Sequence, residues 1–184
     1  APKVKAISQV ETQKNFLTIE ELNKLVKTDC PTPVLKKAAL FSALTGLRFS
    51  DIVKLQWDEI EVIDGKHHIH FRQKKTGGVE HMPISEQAFK LLPERTSQRV
   101  FHGLTYSSHY NKHLFQWLGA AGITKDITFH SFRHTYAVLQ LDRGTDIYTV
   151  SKMLGHRNLS TTQIYAKVLD KAKQDTIDKI KLDM

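Results

Sequence analysis

The chain has 184 residues, 40% of them hydrophobic, with a formal net charge of +8 and a pI near 9.5. That length and composition suit one well-formed core, are short for two, and do not make disorder the default. The single cysteine, Cys30, excludes an internal disulfide framework and fits a reducing cytoplasm, the opening APKVKAISQV lacks the apolar stretch of a secretory signal, and no run approaches the roughly 20 apolar residues of a membrane helix.

Residues 1–15 are polar and basic, with no period, and read as a linker or a cut domain boundary. Residues 16–184 read as one domain. Thr18-Ile19-Glu20-Glu21 has the form of a capping box, with Thr18 at the N-cap and Glu21 at N3. Leu22, Leu25 and Val26 give the following helix an apolar stripe. Pro31 and Pro33 break the chain, and Pro33 suits the first turn of a second helix. That helix carries Leu40, Phe41 and Leu44 and stops at Gly46, a C′ glycine. Ser50 is the expected cap of a short third helix over 51–55.

The period then changes. Ile60, Val62 and Ile63 precede Asp64-Gly65, a hairpin signal. His68, His70 and Arg72 alternate with Ile69 and Phe71, Gly77-Gly78 makes a second turn, and a short run covers 79–84. Residues 59–84 are predicted to form a three-stranded antiparallel sheet. Further on, Ser85 caps a helix to Leu92, and a longer helix covers 107–121 and ends at Gly122. Thr128 caps 129–143, which ends at Gly144, and Thr145 caps 146–154, which ends at Gly155. Ser160 caps a helix carrying Ile164 and Tyr165. In the polar segment 170–184, Ala172, Ile177 and Ile180 stand near helical spacing. The fold class is mainly α with one small three-stranded antiparallel sheet, an α+β arrangement.

The basic balance points to a polyanionic partner, either nucleic acid or an anionic membrane surface. Within it, Arg48 occupies a tight turn between two helices, in Thr45-Gly46-Leu47-Arg48-Phe49-Ser50-Asp51. A guanidinium there, beside a helix N-terminus, suits bidentate phosphate binding. His130 and Arg133 stand one turn apart on one helix face and offer an imidazole beside a guanidinium. Leu154-Gly155-His156 ends a helix, and Tyr165 follows nine residues after His156. Each feature alone has an ordinary structural explanation: a surface arginine, a chance pair, a half-buried tyrosine. His134, four residues after His130, could suggest a metal pair, but the glutamate of an H-E-x-x-H motif is absent. His67, His68 and His70 read as a solvated or DNA-facing strand, and Tyr106, Tyr110, Tyr136 and Tyr148 as packing or surface residues.

Together, the order T-G-L-R-x-S-D, a hairpin lysine, H-x-x-R, L-G-H and then a tyrosine resembles the catalytic domain of the tyrosine recombinase (phage integrase) family over roughly 16–175. The variant T-G-L-R-F-S-D is more similar to integrases of bacterial mobile elements than to eukaryotic members. The resemblance implies site-specific DNA recombination, the integration and excision of a mobile element, by strand cleavage and rejoining through a covalent 3′-phosphotyrosine. It implies that Arg48 and Arg133 clamp the scissile phosphate and that Lys75 protonates the leaving 5′ oxygen, with adjacent Lys74 as its alternative. His130 and His156 would assist proton removal and hydrogen-bond the phosphate, Tyr165 would be the nucleophile, and Asp51 would support the site. No metal or cofactor is implied, because arginines supply the positive charge. The implied partner is double-stranded DNA, gripped by a homotetramer assembled from monomers. The implied location is the bacterial cytoplasm, at the nucleoid and not a membrane.

The family's N-terminal helical domain has no counterpart before Thr18, so the chain reads as a fragment or single domain. Segment 170–184 docks on a neighbouring protomer or packs on its own domain; the sequence leaves both open. Two competitors remain: a type IB topoisomerase, which shares the phosphotyrosine chemistry, and a non-catalytic DNA-binding module.

Overall fold

The computed structural model describes residues 15–72 and 79–165. Lys74, Lys75, the Gly77-Gly78 turn and the 170–184 segment therefore lie outside the described residues. Helix α1 spans Ile19–Lys27, and its N-terminus is the predicted capping box: the Glu21 amide donates to Thr18 Oγ1 and the Thr18 amide to Glu21 Oε2. Helix α2 spans Pro33–Thr45, with Pro33 in its first turn. Leu35, Ala38, Ala39 and Phe41 on it are buried.

Gly46 ends α2 with φ 72°, in the left-handed region. A Cβ at Gly46 would lie 2.7 Å from Tyr136 Cδ1 and 2.9 Å from Leu154 Cδ2. Both the turn and the close packing of α2 on the later helices thus require glycine. Gly46→Ala is expected to destabilise the fold by ~1–3 kcal/mol, from steric overlap and left-handed strain together. Thermal melting checks this, and an unchanged Tm would contradict it.

Helix α3, Phe49–Ile52, starts earlier than predicted. Arg48, not Ser50, is the N-cap, because the Arg48 carbonyl accepts from the amides of Asp51 and Ile52. A 3-10 turn at Trp57–Glu59, not foreseen in the sequence, leads into the sheet; the Gln56 amide donates to Glu59 Oε2 across it. The sheet has the predicted antiparallel order: β1 (Ile60–Ile63), β2 (Lys66–Arg72), β3 (Val79–Pro83). Ile60 pairs with Ile69, Ile69 with Met82, and His70 with His81. Alternation turns Ile69 and Met82 into the core. His67 is not simply a solvated strand residue: its ring stacks on Phe89 at 3.6 Å and its Nε2 lies 3.3 Å from Glu86 Oε2. His70 stacks on His81 at 3.9 Å.

The remaining helices are α4 (Glu86–Lys90), α5 (Ser108–Ala120), α6 (Phe129–Asp142), α7 (Ile147–Met153) and α8 (Ser160–Gln163). Two departures from prediction have local causes. Asp146 caps α7 by accepting from the Thr149 amide at 2.9 Å, while the predicted cap, Thr145, turns its hydroxyl to Gln140 Oε1. Leu159 takes the N-cap of α8, and this helix ends before Tyr165, whose amide donates to the Thr162 carbonyl at 3.0 Å.

The larger core gathers α1, α2, the sheet and α5 around Phe41, Phe101, Trp117 and Phe132. A second core holds Tyr136, Ala137, Leu141, Val150, Leu154 and Tyr165. Helix α6 contributes to both, so its residues are held from two sides. The segment before α1 is tied to it as well, since the Leu17 amide donates to Thr135 Oγ1 at 2.9 Å. Among the described residues no helix is long and apolar enough to cross a membrane.

Candidate active site

Arg133 is the centre of a polar cluster where α6 meets the C-terminal ends of α2 and α7. It is 4% exposed. Its Nη1 donates to the Gly46 carbonyl at 2.5 Å and its Nη2 to the Leu154 carbonyl at 2.6 Å. Both carbonyls belong to helix ends, where backbone acceptors lack intrahelical partners and carry partial negative charge. The sequence makes this socket with the same residues that end the helices: Gly46 turns the chain after α2, and Leu154 caps α7.

His156 lies just past α7, and its Nε2 is 3.1 Å from Arg133 Nη2. A guanidinium has no acceptor, so Nε2 must accept and the ring proton sits on Nδ1. That nitrogen is 2.8 Å from Thr162 Oγ1, a fully buried hydroxyl on α8. The arginine and Thr162 together fix the orientation and tautomer of His156.

Arg48 and Asp51 stand at the N-terminus of α3, with Arg48 Nη1 3.8 Å from Asp51 Oδ2 and the Asp51 side chain 2% exposed. Burial, and next the positive charge of Arg48, push the Arg133 pKa down to about 10; Tyr165 and Asp51 act in the opposite direction. Arg133 therefore stays charged at neutral pH, near a second guanidinium. Two close cations with helix N-terminal amides beside them favour an anion between them.

Tyr165 is buried beside this cluster, 6% exposed, and its hydroxyl is hydrogen-bonded to His134 Nδ1. Burial pushes its pKa up to about 12, against the opposing pull of Arg133. Below pH 10 folding loses nothing to this group. As pH rises through about 12, the unfolded phenol ionises before the folded one, and stability falls. Tyr136, also raised by burial, acts in the same direction. The Tm should drop above pH 10, less steeply in Tyr165→Phe; an identical slope in both proteins would contradict the assignment.

The structure thus brings Arg48, Asp51, Arg133, His156 and Tyr165 together around the junction of α2, α3, α6 and α7. His130 is exposed on the first turn of α6, its ring 4.4 Å from that of His134 in an edge-to-face arrangement. Two residues of the cluster were not singled out by sequence reasoning. His134 drew attention only as a metal partner of His130, and Thr162 not at all. The available signals were the spacing of His134 one turn from His130 and the position of Thr162 one turn before Tyr165. Among the described residues, no group of three or more His, Cys, Asp or Glu side chains could hold a metal ion.

Comparison with known proteins gives a consistent result. The sequence model of the phage integrase family matches residues 15–172. Tyrosine recombinase XerD of Lacticaseibacillus casei is 32% identical over 161 residues, covering 77% of this chain and 54% of that protein. A tyrosine recombinase of Thermosipho africanus is 28% identical over 176 residues, covering 90% of this chain and 62% of its own length. The chain therefore spans a little over half the length of these relatives. In fold it is similar to the XerH recombinase in a post-cleavage complex with a palindromic difH substrate (TM-score 0.74, 18% identity, 95% of this chain and 55% of that one). It is also similar to the catalytic domain of bacteriophage HP1 integrase (TM-score 0.66, 21% identity, 90% and 95%).

Proposed function

This chain belongs to the phage integrase family of tyrosine recombinases, and on that premise we propose that it cleaves and rejoins double-stranded DNA at specific sites through a covalent 3′-phosphotyrosine at Tyr165. The observation that carries the reading is the pair of arginines at one helix junction, with the Tyr165 hydroxyl inside the same cluster. A dianionic phosphoryl transition state is what two guanidiniums beside a helix N-terminus stabilise best.

The roles follow from chemistry. Arg133 and Arg48 neutralise the non-bridging oxygens of the scissile phosphate. His156, its Nε2 against Arg133, stands at the edge of the same anion site. His130 assists proton transfer from the exposed side, and Asp51 holds Arg48 in place. Lys75 of the β2–β3 connection, or its neighbour Lys74, serves as the general acid for the leaving 5′ oxygen. Oη of Tyr165 attacks phosphorus, the bond to the 5′ oxygen breaks, and the phosphodiester free energy is kept in the phosphotyrosine. Rejoining by a 5′ hydroxyl then needs no ATP. No divalent cation enters these steps.

The relatives support a reading of partners and context. The XerH structure holds a difH substrate, and a lambda integrase dimer of similar fold is bound to a core site. For this chain the substrate is duplex DNA, with a homotetramer assembling on it from monomers, in a bacterial cell and at its nucleoid. The integrase of transposon Tn1549, also similar in fold, favours a mobile-element setting.

The test is relaxation of supercoiled plasmid in EDTA, with a search for protein attached covalently to DNA. Relaxation with an adduct supports the reading. Salt-sensitive DNA binding with neither relaxation nor adduct, in this chain and in a longer one carrying the upstream domain, would leave a binding module instead.

A further inference from the structure

We propose that His134 is a catalytic residue: its Nδ1 takes the proton of the Tyr165 hydroxyl as Oη attacks phosphorus, and returns that proton when the strand is rejoined. The inference rests on the reading of Tyr165 as the nucleophile and adds the group that activates it.

The geometry names the partner of the Tyr165 hydroxyl directly. The Tyr165 hydroxyl is bonded to His134 Nδ1, and both side chains are buried, at 6% and 8% exposure. Their rings lie 5.7 Å apart, tilted at 55°. A general base must reach the proton it removes, and His134 already does. His130 and His156, the imidazoles singled out in the sequence, are engaged elsewhere: His156 between Arg133 and Thr162, and His130 edge-to-face with the His134 ring. The need for a base is also physical. A phenol is neutral at physiological pH and burial makes this one harder still to ionise, so the hydroxyl cannot attack as phenolate without a neighbour to receive its proton.

The placement of His134 explains how it stays in position. It lies on α6 immediately after Arg133, so the helix that anchors the phosphate clamp also aims the base. Its flank meets the ring of His130, which is exposed. The steps balance. In cleavage, the Oη–P bond forms, the P–O5′ bond breaks, the phenolic proton moves to Nδ1, and the general acid protonates the 5′ oxygen. In rejoining, the 5′ hydroxyl returns its proton to the deprotonated general acid as its oxygen attacks, the P–O5′ bond forms, the Oη–P bond breaks, and the protonated His134 ring gives its proton to the departing phenolate.

The test compares His134→Asn with the parent chain in single-turnover adduct formation on supercoiled plasmid. Asparagine can hydrogen-bond the hydroxyl but cannot take its proton. Adduct formation should slow by ~10²–10⁴-fold, the range of a lost general base. Placing a ring-fluorinated tyrosine at 165, with a far more acidic phenol, should restore most of the rate in His134→Asn. A merely structural defect would not be rescued in this way. Parent-like rates in His134→Asn, or no preferential rescue, would overturn the proposal.

A measurement independent of activity separates this idea from the reading beneath it. Nitrogen-15 NMR of labelled histidines should show His134 with its proton on Nε2 and Nδ1 accepting, changing on Tyr165→Phe. A proton on Nδ1, donated to Tyr165, would overturn the proposal even if the adduct forms. Absence of any adduct in the parent chain would remove the nucleophile reading itself, and the proposal with it.

Discussion

Tyr165→Phe is expected to abolish covalent attachment and plasmid relaxation completely while leaving DNA binding intact. The loss is total because the hydroxyl oxygen is the atom that joins phosphorus, and phenylalanine has none. The same change carries a separate structural effect. The hydroxyl is paired with buried His134, so its removal leaves a buried imidazole nitrogen without that partner. That costs ~1–3 kcal/mol, or a few degrees in Tm for a domain of this size. Two readouts should therefore move differently: chemistry to zero, stability modestly, and affinity for plasmid DNA hardly at all. Residual relaxation by purified Tyr165→Phe would show that another group attacks. A collapse of the fold would show that the His134 contact matters more to packing than to chemistry.

The second large effect is expected at Arg133. Arg133→Lys keeps a positive charge but cannot keep the geometry. One guanidinium spans the carbonyls of Gly46 and Leu154 at 2.5 and 2.6 Å. A lysine ammonium is a compact charge on a flexible stem and lacks the planar fork that meets two carbonyls and an anion together. At least one helix-end carbonyl loses its partner, at ~1–3 kcal/mol. The ammonium, buried beside Arg48, is also driven toward its neutral form. Adduct formation should fall on the order of 10²–10³-fold, as when a preorganised transition-state donor is removed. His156 loses the donor that fixes its tautomer as well, so the effects of Arg133→Lys and a His156 variant should not add. Rates near those of the parent chain would argue that Arg133 is structural and that Arg48 carries the phosphate alone.

Much of this was legible in the sequence because helix punctuation and site chemistry use the same residues. Gly46 ends α2 and, in doing so, points its carbonyl at Arg133; Gly155 follows Leu154, whose carbonyl does the same. The T-G-L-R and L-G-H patterns record both facts at once, which is why the motif order points to the junction where Arg133 meets both helix ends. The antiparallel sheet was legible from Asp64-Gly65 and strict alternation. The misjudged helix starts came from weighing side-chain caps by residue type alone. Ser50 and Thr145 are good capping residues, but backbone geometry after Gly46 placed the start at Arg48, and Asp146 outcompeted its neighbour for the Thr149 amide. His134 and Thr162 were missed for a different reason. Their partners, Tyr165 and His156, are brought to them by the packing of α8 and the segment after it against α6 and α7, and no local spacing encodes that contact.

The nucleophile is identified by trapping the protein–DNA adduct, digesting it with protease and nuclease, and locating the modified residue by mass spectrometry. The expected product is a single peptide containing Tyr165, joined through its phenolic oxygen to the 3′-phosphate of a nucleotide. Attachment at any other residue, or linkage to a 5′-phosphate, would contradict it.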